Sequence, residues 1–82
     1  MTTSESIKYA MERIVLRHFV PCFDIRDSDE LYSTEQLREQ FMNMVPDKDT
    51  ITLPAVFNAM VEAGFDQYSN AGVSLWLLKK IA

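Results

Sequence analysis

The sequence predicts an α+β domain of three helices closed by a C-terminal β-hairpin, and three observations carry that reading. Two segments of helical period, residues 4–20 and 33–45, each begin at Ser or Thr and stop at a proline. A third, residues 53–63, opens on Thr52 with Pro54 behind it and closes on Gly64. Two β-prone runs then follow, FDQYS and VSLWLLKKI, joined by the short turn NAG.

The first helix is expected over residues 4–20, with Ser4 or Thr3 as its cap. Ile7, Met11, Ile14, Val15 and His18 share one face, and Pro21 sets the end. Tyr9, Leu16 and Val20 cluster about half a turn away, so this helix is expected to have a second partner. The stretch CFDIRDSD reads as a loop, and Leu31 and Tyr32 as a very short strand. Ser33 and Gln36 have capping-box spacing for the second helix, whose apolar stripe is Leu37, Phe41, Met44 and Val45 up to Pro46. PDKDT is a turn. In the third helix Leu53, Val56, Met60 and Ala63 are expected to face inward. Phe57 and Val61 widen that arc, and Pro54, Ala55, Asn58 and Glu62 look outward. Gly72 supplies the positive φ of the hairpin turn.

Composition sets the bounds. Residues 1–82 suit one small domain, with 48% hydrophobic and 11% aromatic residues to fill one core. Cys22 is the lone cysteine, so no bridge can form within the chain, and a reducing, cytoplasmic setting is expected. The start MTTSESIKYAMERIVL is polar and charged, unlike a signal peptide or a membrane span. Eight basic against 12 acidic residues give a net charge of −4, which argues against non-specific binding to nucleic acid or anionic membranes. The distribution is sharper than the sum. From Asp49 to Leu78 there is no Lys, Arg or His, while Asp49, Glu62 and Asp66 are acidic.

The order helix, short strand, helix, helix, hairpin is that of a winged helix-turn-helix. Within it, the helix STEQLREQF, a second helix with Phe57 and Met60 leading to Gly64-Phe65, the turn glycine Gly72 and Trp76 in the closing strand match an outline. Residues 33–80 thereby resemble the winged-helix domains at the C-terminal end of phage- and virus-type primase-helicases. That resemblance implies the fold and a place in a replication- or phage-type assembly. The family commonly carries basic residues around its wing glycine, where this chain has SNAGVSLW.

As a recognition helix, residues 53–63 would offer only Asn58 to a base edge, and phosphate contact only from Lys79 and Lys80 beyond it. Arg13 and Arg17 on the first helix are the other candidate nucleic-acid contacts. His18 and Cys22, four apart, have ligand spacing, but Pro21 lies between them and no second Cys or His completes a tetrahedral set. A half-buried histidine and a small apolar cysteine are expected instead. Asp24, Asp27, Asp29 and Glu30 lack the spacing and central glycine of a calcium loop and read as a solvated loop. No phosphate loop, nucleophile elbow or acid-base pair is present in the sequence, so no catalytic, metal or cofactor residue and no small-molecule substrate is expected.

Excess apolar surface is the remaining signal. Leu75, Trp76, Leu77 and Leu78 run without alternation, and Met42 lies about 140° from Leu37 on the helical wheel. The expected association surface is Tyr9, Leu16, Val20, Met42, Trp76 and Leu78. The sequence therefore points to a non-enzymatic winged-helix module working through protein contact, as a homodimer or an accessory part of a replication- or phage-type assembly, with duplex DNA bound weakly or not at all. The alternative is a DNA-binding domain using the first helix and the Lys79-Lys80 end.

Overall fold

The structure, a computed structural model, describes residues 2–46 and 48–81. Helix α1 (Thr3–Ala10) is capped by Thr2, whose hydroxyl accepts from the Glu5 amide while the Glu5 carboxylate accepts from the Thr2 amide. The cap thus lies just before the expected Thr3 or Ser4. Past Ala10 the chain stays helical but widens into a π-helical segment, Met11–Leu16. The helix ends there, and Phe19–Pro21 form strand β1. The expected helix to Val20 is corrected accordingly: Pro21 ends an edge strand, where its missing N–H costs no ladder bond.

The π segment changes which side chains align. Its i→i+5 bonding places residues five apart one above the other. Leu16 is thereby brought toward the side of Met11 and away from the opposite face that α-helical spacing assigns it. Ile7, Met11 and Val15 are all buried, and Ala10 and Ser6 are fully covered.

A short 3₁₀ turn, Ile25–Asp27, leads to strand β2 (Glu30–Tyr32). Helix α2 (Thr34–Met42) then starts on the anticipated capping box of Ser33 and Gln36. A second 3₁₀ turn, Lys48–Thr50, precedes helix α3 (Leu53–Glu62), capped by the Thr52 hydroxyl. The Gly64 N–H donates to the Val61 carbonyl and the Phe65 N–H to that of Met60, which closes α3 in a Schellman motif with Gly64 at φ 90°. Strands β3 (Gln67–Asn70) and β4 (Val73–Lys80) form the hairpin. Its two central residues, Ala71 and Gly72, both have positive φ, 52° and 81°, the type I′ arrangement that suits strand twist.

The result is an α+β fold with a four-stranded antiparallel sheet centred on β4. β3 pairs with residues 73–76 and β1 with residues 78–80, end to end along one edge of β4; β2 pairs with residues 76–78 along the other. β1 is the strand the sequence reading did not include. Leu37, Phe41, Ile51, Val56, Met60, Trp76 and Leu78 fill the core between helices and sheet. Trp76, Leu77 and Leu78 are all buried, so the sheet is covered on both faces here and the unbroken apolar run is accounted for. The acidic loop is tied to the sheet: the Asp29 carboxylate accepts from the Lys80 amide at 2.8 Å, and Asp24 holds Arg26 at 2.7 Å. That pairing keeps the Asp24 carboxyl below its ordinary value. Among the described residues no helix is long and apolar enough to cross a membrane.

Candidate functional site

Helix α3 carries two apolar stripes side by side. Val56 and Met60 are fully buried. Next to them Leu53, Phe57 and Val61, at four-residue spacing, remain 40, 41 and 51% exposed. The expectation that Leu53 faces inward is thus corrected. The Phe57 ring leans on the buried Trp76 ring, with centroids 5.5 Å apart, which holds it in place with one side open. Trp76 is held in turn by its indole N–H, which donates to Thr34 Oγ1 at 3.0 Å.

Around Leu53 and Phe57 of this stripe lies a groove of about 710 Å³. Its walls are the start of α2 (Ser33, Thr34, Glu35), the first half of α3 (Leu53, Pro54, Phe57, Asn58) and the hairpin (Gln67, Gly72, Val73, Ser74). The starts of α2 and α3, capped by Ser33 and Thr52, both border this groove. The hairpin projects past the core, which leaves Val73 53% exposed beside them. Among the described residues Glu35 is the one charged residue in this lining. A second depression, about 500 Å³, separates α1 from α3 and is lined by Ile7, Met11, Leu16, Asn58 and Glu62 among others. A third, about 510 Å³, gathers Arg17, His18 and Lys80 with Phe19 and Tyr32.

The anticipated association surface is dispersed by this geometry. Trp76 and Leu78 are core residues, 1 and 0% exposed, and are corrected from surface to interior. Tyr9 and Met42 are partly buried against the core, and Arg13 sits over the Tyr9 ring at 4.4 Å. Leu16 and Val20 do remain exposed, but Leu16 lies in the α1–α3 depression and Val20 on strand β1 opposite Lys79, so they make no common face. Of the candidate nucleic-acid contacts, Asn58 is exposed between the first two depressions, and Arg17 and Lys80 share the third. Lys80 there has Glu30 at 3.8 Å. Lys79 is exposed on β4. His18 is exposed rather than half-buried, and Cys22, expected as a small apolar residue, is buried. Among the described residues, no three His, Cys, Asp or Glu side chains gather in a possible metal-ligand set.

The residues the sequence reading missed are Leu53, Phe57, Val61 and Val73. A signal was present: α3, LPAVFNAMVE, has apolar residues over more of its circumference than one core face needs, which marks a helix with a second apolar neighbour. No protein-family model, curated protein or solved structure matches the chain.

Proposed function

We propose that this protein is a non-enzymatic winged-helix interaction module that holds another protein against the face formed by α3 and the β3–β4 hairpin. The element order α1, β2, α2, α3, β3, β4, with β2 paired to the closing strand, supports the winged-helix assignment. One observation carries the functional reading. The helix that such a fold would place in a DNA groove instead exposes Leu53, Phe57 and Val61, within a block from Asp49 to Leu78 that has no cation. Nucleic-acid affinity needs cations at the phosphates, whereas half-exposed aromatic and aliphatic side chains in a groove favour protein contact. A place in a replication- or phage-type assembly rests on the resemblance of residues 33–80 alone.

The competing reading is DNA contact through Arg17, His18 and Lys80, favoured by their shared depression with two aromatic rings. Photo-crosslinking in the native cell separates the two. A crosslinking amino acid at position 57 or 61 is expected to give one defined protein adduct, and at position 17 none. Nucleic-acid adducts at position 17 with none at 57 would reverse the order.

A further inference from the structure

We propose that the groove seats an extended, Lys- or Arg-bearing segment of the partner protein as an added strand on the open edge of β4 at residues 73–75. This rests on the protein-contact reading above and adds the form and charge of the occupant. β4 has β3 and β1 along one edge, and along the other β2, which covers Trp76 to Leu78 and stops where Ser33 turns into α2. Among the described residues no strand lies beside Val73, Ser74 and Leu75 on that second edge.

The backbone there points the right way. The Leu77 N–H donates to the Asp66 carbonyl on the β3 edge, whereas the Leu78 carbonyl accepts from Asp29 and the Leu78 N–H donates to Ser28 Oγ on the β2 edge. An antiparallel ladder alternates its direction at every residue. Ser74 therefore shares the direction of Leu78 and turns both its N–H and its C=O to the open edge, inside the groove that Ser74 itself lines. Strand addition of this kind draws affinity from main-chain bonds and selectivity from pockets for alternate side chains. Here alternate side chains of the incoming segment would meet Leu53 and Phe57. Glu35 stands at the groove wall with, among the described residues, no Lys, Arg or His in the lining, which favours a cation on the segment and disfavours an acidic one.

Octapeptides selected from a displayed random library on the intact chain test this. The expected peptides alternate apolar residues and carry Lys or Arg, and Phe57→Ser abolishes their binding. Ser74→Pro removes the edge donor, a change tolerated where a strand faces no neighbour, together with the hydroxyl that meets Ser69 Oγ at 3.1 Å, and is expected to weaken them about tenfold where Ser74→Ala does not. Proline also shifts φ, so the same contact is tested from the other side: N-methylation of the peptide amide facing Ser74 should cost about tenfold and of its neighbours little. Peptides sensitive to Phe57→Ser but indifferent to both backbone changes overturn the strand and leave the groove reading standing. Acidic or helical winners overturn the proposal likewise. Binding indifferent to Phe57→Ser, or no binders at all, removes the groove reading as well.

Discussion

The Trp76 indole N–H donates to Thr34 Oγ1 at 3.0 Å, joining the central strand to the first turn of α2 along the wall of the groove. Trp76 is 1% exposed, so its N–H has no ready alternative in solvent. Thr34→Val keeps the shape and deletes the acceptor, leaving a buried donor unpaired. We expect a loss of about 1–3 kcal/mol in urea unfolding, with Thr34→Ser close to the parent. A neutral valine would mean that the N–H is satisfied in another way.

Gly64 closes α3 at φ 90°, where a Cβ would meet only Pro21 Cγ at 3.9 Å, an ordinary contact. The cost of Gly64→Ala or Gly64→Val is therefore backbone strain, about 1–2 kcal/mol, and not steric collision. Thermal unfolding measures it. A neutral outcome at Gly64 would mean that α3 does not end in the left-handed turn.

The parts of this fold legible in the sequence are those set by local chemistry: the Ser33–Gln36 box, Thr52 and Gly64 at the ends of α3, and the hairpin around Gly72. The parts that were not are set by tertiary context. The π segment at Met11–Leu16 has no composition of its own, and β1 exists because residues 78–80 of β4 offer it an edge. Trp76 and Leu78 are interior, and the expected surface residues are dispersed, for the same reason. An α-helical wheel places Leu16 opposite Met11, and an isolated strand cannot reveal that Trp76 will meet Thr34 and Phe57 or that Leu78 will join the core. The stripe on α3 was visible as an arc but was assigned to the core.

The π register predicts a contrast between two adjacent residues. Val15 is fully buried and Leu16 is 43% exposed at the α1–α3 depression. Val15→Ala should cost about 2 kcal/mol and Leu16→Ala less than about 1 kcal/mol. Leu16→Glu should leave both the fold and the sedimentation coefficient unchanged. A switch from dimer to monomer on that change would restore α1 as an association surface.

At the start of α1 the Thr2 hydroxyl and amide both donate to the Glu5 carboxylate, which holds that carboxyl below its ordinary value. A lowered folded-state value means that the contribution is complete above the ordinary carboxylate range and is lost as pH falls through the lowered one. The first turn of α1 should therefore fray as pH falls below the ordinary carboxylate range while the sheet persists, seen as faster amide exchange at Glu5. Glu5→Gln should remove most of that acid dependence. Equal loss of protection in α1 and β4 would show global unfolding instead.

Duplex DNA is expected to bind weakly and without sequence preference. Ordinary specific affinity draws on several phosphate contacts, and the α3 face offers Asn58 beside Leu53, Phe57 and Val61 with Glu35 and Glu62 nearby in the flanking depressions. The cations that do cluster, Arg17 and Lys80, lie in a depression that shares no residue with the groove. A helix laid in the major groove would thus bring apolar surface and carboxylates to the phosphates, a cost that no contact elsewhere on that face offsets. In a mobility-shift titration at about 0.1 M salt we expect no complex at micromolar protein. Asn58→Ala should change nothing, and Arg17→Ala with Lys80→Ala should remove whatever residual binding exists. Sub-micromolar binding that Asn58→Ala abolishes would make α3 a reading helix after all, and the exposed Leu53–Phe57–Val61 stripe would then have to be explained as contact with bases and sugars.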